Sequence, residues 1–148
     1  MIGASDTVEL RTLVDSYALA LDELDAEGLC LLWTDDGALL VREGGPESDP
    51  SARLGFPAAA GPVIERLQEY ARTVHHVTTH RSIVNGDTAT GTTYCQAHHI
   101  FLGPHDQPLD KILSIRHEDR FQRKDGWRFC RRELNVLFRE IRPVVFLP

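Results

Sequence analysis

Apolar residues recur at three- and four-residue intervals near the start of the chain: Leu10, Leu13, Val14, Tyr17, Ala18 and Leu21 share one side of a helical period, which predicts an amphipathic helix. Ser5 or Asp6 would cap it, and Glu9, three residues after Asp6, would complete a capping box. Val14, Ala18 and Asp22 stand at i, i+4 and i+8, so a carboxylate extends the apolar stripe instead of facing water. Asp25 would N-cap a second short helix, Ala26 to Leu32 or Trp33, before Asp35-Asp36-Gly37 turns the chain into a strand from Ala38 to Val41. Residues 42–60 hold three of the eight prolines and keep no period, the pattern of a mobile surface loop that would cover a pocket mouth. Pro62 suits the first turn of a third helix, Val63 to about Arg72, with Val63, Leu67 and Tyr70 inward.

From His75 onward the period is that of strands. His76 to Val84 ends at Asn85-Gly86-Asp87, Thr88 to Leu102 at Gly103–Pro108, and Lys111 to Gln122 at Lys124-Asp125-Gly126, after which Trp127 to Phe138 closes the series. Four strands joined by hairpins predict an antiparallel meander, hence an α+β domain with helices packed on one face. Alternation puts His75 with Val77 inside and His76, Thr78 and His80 outside. On the next strand Cys95, Ala97, His99 and Phe101 share the more apolar face, and Tyr94, Gln96, His98 and Ile100 the other. Leu113, Ile115, His117, Asp119 and Phe121 share a third core face, where Arg132 of the following strand is a candidate ion partner for Asp119.

Composition narrows the class. A chain of 148 residues, 42% apolar and 26% charged, fits one domain spanning residues 1–148 that buries roughly 70% of its unfolded surface around one core. The apolar tail, residues 139–148, is expected to serve subunit contact in a homodimer or homotrimer. A net charge of -6 with scattered Lys and Arg gives no field for nucleic acid. No run approaches the ~20 apolar residues of a membrane span. Cys30, Cys95 and Cys130 are odd in number and match no zinc spacing, so they read as buried free thiols, and a cytoplasmic protein is expected. His76 and His80 on one strand face would stand ~13 Å apart, and His98 and His99 point to opposite faces, so no metal is expected. The chain has no phosphate-cradling loop, dinucleotide fingerprint or Gly-x-Ser-x-Gly elbow, so no cofactor is expected.

Several short pieces, in order, carry a family resemblance: Tyr17 to Asp25, Leu32-Trp33-Thr34-Asp35-Asp36-Gly37, Thr73-Val74-His75-His76, Asn85-Gly86-Asp87, His117-Glu118-Asp119-Arg120-Phe121, and Asp125-Gly126-Trp127-Arg128 with Arg132. Together, from about residue 7 to residue 138, they resemble the SnoaL-like branch of the nuclear transport factor 2-like superfamily. The resemblance implies a cone: a curved antiparallel sheet wrapped against three helices from the N-terminal half, with a central pocket. Family members include scytalone dehydratase, hexachlorocyclohexane dehydrochlorinase, polyketide cyclases, ketosteroid isomerase and non-catalytic dioxygenase β subunits, so the fold alone does not choose a reaction. Asp22 matches the helix-end aspartate and His75 the strand-start histidine of the dehydratase and dehydrochlorinase dyad. The resemblance points to His98 or His99 as a further pocket histidine, with His98 preferred. His117 stands where many members have tyrosine, and Thr79 where many have asparagine.

These residues suit acid/base chemistry. An imidazole exchanges protons near neutral pH, and a carboxylate on its far nitrogen fixes the tautomer and stabilises the imidazolium. The expectation is a cofactor-independent lyase or isomerase of dehydratase, dehydrohalogenase or cyclase type, with Asp22 and His75 catalytic and Tyr17, His98 and His117 binding a small apolar, cyclic or carbonyl compound. The alternative is a non-catalytic binding or scaffold domain resembling a ring-hydroxylating dioxygenase β subunit.

Overall fold

A computed structural model describes residues 3–148. Helix α1, Ala4–Asp22, buries Leu10, Leu13, Val14, Tyr17, Ala18 and Leu21, the stripe read from the sequence, together with Ala20. Its start is not capped by Ser5 or Asp6. Gly3 takes the N-cap position without a side-chain bond, and Ser5 Oγ bonds Glu9 at 2.7 Å. Asp6 instead accepts from Arg123 and from Trp127 Nε1 at 3.1 Å, tying the helix start to the far end of the sheet. Leu24 adopts a left-handed conformation (φ 57°) that ends α1. Asp25 then caps α2, Ala26–Leu31, through Gly28 N–H at 2.8 Å.

Strand β1, Trp33–Glu43, starts at the tryptophan and carries a register shift between Trp33 and Ala38, so the Asp35-Asp36-Gly37 segment bends a strand already begun. The region read as a loop, residues 42–60, contains strand β2, Ala52–Phe56, paired antiparallel with β1 at the sheet edge. Helix α3, Ala60–Leu67, is shorter than expected and turns Ala60 and Ile64 into the core. Residues 68–71 leave the helix because β3, Arg72–Asn85, begins at once.

Strands β4 (Thr88–Leu102), β5 (Pro108–Arg123) and β6 (Trp127–Pro143) complete the meander. The sheet order is β2-β1-β6-β5-β4-β3. Every neighbouring pair is antiparallel except β1 and β6. The sheet is therefore mixed, not purely antiparallel: β6 returns between β5 and β1 running in the direction of β1. It is curved and unclosed, with the helices on its concave face, where α1 packs mainly against β3. Residues 139–143 of the expected tail belong to β6, paired with β5 from Leu113 to Leu109.

A bulge in β3 matters for the site. The β3–β4 register shifts between Val77 and His80, because one added residue flips every later side chain to the other face. Thr73, His75 and Val77 face the helices, and beyond the bulge so do His80, Ser82 and Val84. His80 is thus interior, contrary to simple alternation.

Candidate active site on the concave face

Asp22 is the last residue of α1 and meets the first turn-free residues of β3. Its Oδ1 lies 2.6 Å from His75 Nδ1 and accepts from Thr73 Oγ1 at 3.0 Å. Its Oδ2 accepts the His75 backbone N–H at 2.8 Å. Burial by itself would raise the Asp22 pKa. The hydrogen bonds from the His75 side chain and backbone and from Thr73 outweigh it, so the pKa lies below the ordinary carboxylate value. An ionised Asp22 only accepts, which puts the proton on Nδ1 and leaves the lone pair on Nε2. The side chains of His75 and Asp22 keep 10% and 21% exposure, so the pair is enclosed yet reachable.

Around it the concave face mixes buried apolar side chains with buried imidazoles. Cys95, Ala97, Ile115 and Val136 form a buried cluster bordered by half-buried Leu113 and Leu134. His99 is buried, with its ring edge-on to His75 at 5.7 Å between centroids. Burial first, then the His75 and Lys111 charges, push its pKa down to about 4. His117 is also buried, its pKa held well below the usual value by desolvation and by the Arg132 and His75 charges. Its Nδ1 has no hydrogen-bond partner. Tyr17 sets its ring edge-on to His117 at 6.4 Å. Burial raises the Tyr17 pKa against the pull of Arg132, so its hydroxyl stays protonated.

Below these groups Asp119 and Arg132 form a buried bidentate pair at 2.9 and 3.2 Å, and the guanidinium lies 4.3 Å from the Tyr17 ring centroid. Burial pushes the Asp119 pKa up, while Arg132 opposes it by charge and hydrogen bonds. Arg132 is occupied by this carboxylate, so it is not a free cation for an anionic ligand.

Of the residues read from the sequence, Asp22, His75, Tyr17 and His117 are brought to the concave face. His98 is not: alternation along β4 sends it to the convex face, where its Nδ1 is 2.7 Å from Asp110 Oδ2. His99, the apolar-face alternative, occupies the interior position. His80 was missed, and the bulge that turns it inward has no signal in alternation. Its Nδ1 meets Thr93 Oγ1 at 2.8 Å, while Nε2 is buried without a partner. A depression of about 420 Å³, bordered by Thr79, Tyr94, Gln96, Ser114 and Phe138, lies across the sheet from the Asp22–His75 contact.

A SnoaL-like domain model matches residues 4–133. The chain belongs to the SnoaL-like family. No curated protein sequence matches it. Solved structures place its fold beside three relatives. An NTF2-like protein with a cystatin-like fold from Novosphingobium aromaticivorans is 27% identical, with a TM-score of 0.71 over 90% of this chain and 82% of that one. A scytalone dehydratase-like protein from the same organism is 21% identical, with a TM-score of 0.74 over 90% and 85%. Hexachlorocyclohexane dehydrochlorinase LinA-type3 from Novosphingobium barchaimii is 16% identical, with a TM-score of 0.76 over 95% and 93%. This SnoaL-like chain therefore has the nuclear transport factor 2-like fold expected of it. No helix among the described residues is long and apolar enough to cross a membrane.

Proposed function

We propose that this SnoaL-like protein is a cofactor-independent lyase or isomerase working by general acid/base catalysis on a small, largely apolar cyclic or carbonyl compound. The carrying observation is the 2.6 Å contact between Asp22 Oδ1 and His75 Nδ1, with the carboxylate fixed by two further donors. His75 Nε2 takes a proton from a carbon activated by a neighbouring carbonyl or leaving group, and Asp22 stabilises the imidazolium. The electron pair released from the C–H bond either expels the leaving group, as in a dehydratase or dehydrohalogenase, or enters a carbonyl to give an enolate. The Tyr17 hydroxyl and the neutral His117 are the donors suited to the oxygen that gains charge. The buried apolar side chains Cys95, Ala97, Ile115 and Val136 beside the pair favour a ligand with few polar groups.

A second reading keeps the fold without the reaction. Asp22 also binds backbone and Thr73, which is what a clamp between α1 and β3 needs, and exposed Tyr94, Phe138 and Ile141 offer apolar surface for a homodimer or homotrimer. Light scattering reads the oligomer. Turnover of a panel of cyclic hydroxyketones, enones and chlorinated rings, compared between the parent chain and His75→Ala, separates the readings. Proton abstraction by His75 requires the variant to lose activity, and equal turnover in both would sink the enzymatic reading.

A further inference from the structure

A second histidine–carboxylate pair lies on the other side of the sheet. His98 Nδ1 and Asp110 Oδ2 are 2.7 Å apart, with side chains 21% and 5% exposed. The remaining oxygen of Asp110, Oδ1, is buried and has no hydrogen-bond partner. Arg142 faces Asp110 across the β5–β6 ladder, but its guanidinium sits 3.8 Å from Glu140 instead. The imidazole of His98 is therefore the group that this carboxylate holds in place. The end of the chain passes nearby: Val144 N–H bonds Pro108 O at 3.1 Å, and Phe146 lies 5.6 Å beneath the Arg72 guanidinium.

A second imidazole stands beside the first. His76 is exposed on β3, and the β3–β4 register, which pairs His76 with Gln96 and Val74 with His98, makes the two histidines diagonal neighbours on the convex face. Their ring centroids are 5.3 Å apart, with planes inclined at 57°. Two imidazoles that share one ion, at zinc–nitrogen distances of about 2 Å and a tetrahedral angle, hold their centroids about 5 Å apart. A carboxylate on Nδ1 supplies the rest of the arrangement. It fixes the proton on that nitrogen and leaves the lone pair on Nε2 free for an ion, as the outer partners of metal-bound histidines do.

We propose that His98 and His76 bind one divalent transition-metal ion of the zinc, nickel or copper type, with Asp110 as the residue that positions His98. Imidazole donors select against magnesium and calcium, which take oxygen ligands. Among the described residues no group of three or more histidine, cysteine or carboxylate side chains is arranged to hold an ion. The remaining coordination positions are accordingly open to water or to an outside ligand. Spacing along one strand and parity on another do not encode this pair. The His76–His98 pair exists only through the cross-strand register.

The site is independent of the reaction proposed for the concave face, and binding tests it directly. The 148-residue chain without a histidine tag, titrated with Zn²⁺ against a chromophoric indicator, is expected to take up one ion per chain. His98→Ala and His76→Ala should each weaken uptake at least tenfold, and Asp110→Asn about tenfold. His105→Ala, in the exposed turn between β4 and β5, should leave it unchanged. With Cu²⁺ as probe, electron paramagnetic resonance should show coupling to two nitrogens in the parent and to one in His76→Ala, a surface change that spares the fold. No stoichiometric uptake overturns the proposal, as does affinity unchanged by both His76→Ala and His98→Ala, or lost with His105→Ala.

Discussion

Asp22 and His75 are tied twice. One carboxylate oxygen meets the imidazole Nδ1 at 2.6 Å, and the other accepts the backbone N–H of the same residue at 2.8 Å. The ring is thereby fixed relative to its own strand, and the end of α1 is fixed relative to β3.

Replacement of the two partners should separate chemistry from support. His75→Ala removes the proposed proton acceptor but keeps the backbone N–H and Thr73 bonds to Asp22. Asp22→Asn keeps a hydrogen-bonding group of the same shape but no charge to favour an imidazolium. Each change is expected to lower kcat/KM by ~100-fold or more, while Asp22→Asn costs about 1–3 kcal/mol of stability because a charge-assisted acceptor is lost. Steady-state kinetics and chemical denaturation of both variants check this. Loss of folding with full specific activity in the folded fraction would leave the pair a clamp.

The orientations of Asp22 and His75 are legible locally, since Asp22 continues the apolar stripe of α1 and His75 alternates with Val77. Their pairing across 53 positions follows only from the family resemblance. What could not be read depended on partners. The strand β2 lies in a segment broken by Pro46, Pro50 and Pro57 and gains its order by pairing with β1. The parallel β1–β6 contact joins segments about ninety residues apart, as Leu39 facing Arg132 shows, and no short-range pattern encodes it. His80 changed faces because of one bulge. For His98 and His99, parity along the strand points to His99, which is the buried one, whereas the family resemblance admits either and prefers His98.

His99 gives a pH dependence of stability with a definite sign. Burial lowers its folded-state pKa to about 4 from the ordinary 6.5. Between those values the unfolded chain binds a proton that the folded chain does not, so stability rises with pH there. The contribution is fully present above about 6.5 and is lost as pH falls toward 4, with a slope on the order of 1 kcal/mol per pH unit. His99→Gln should flatten the stability–pH curve in that window relative to the parent. Denaturant unfolding at half-unit pH steps measures it, and parallel curves for the two proteins would count against a neutral, buried His99.

The Asp119–Arg132 pair should behave as a buried ion pair whose halves cannot be removed singly. Both side chains are 1% exposed or less, and Arg132 also covers the Tyr17 and Phe129 rings at 4.3 and 4.6 Å. Arg132→Met leaves a buried carboxylate without its cation and should cost about 3–5 kcal/mol. Adding Asp119→Leu to that variant should recover much of the loss, because the unpaired charge is gone. A double-mutant cycle by thermal unfolding reads the coupling. Additive losses would mean that the two groups do not depend on each other.

His117→Phe is expected to move stability and activity in opposite directions. The imidazole is buried edge-on to Tyr17, and its Nδ1 has no partner. A phenyl ring keeps the aromatic contact and removes a buried polar atom left unsatisfied, which should leave stability unchanged or raise it by up to about 1 kcal/mol. If that nitrogen serves a ligand oxygen, the same change should lower kcat by roughly 10²-fold. Melting temperature and turnover measured on one preparation decide between the roles. A variant that loses stability while turning over at the parental rate would make His117 a packing residue.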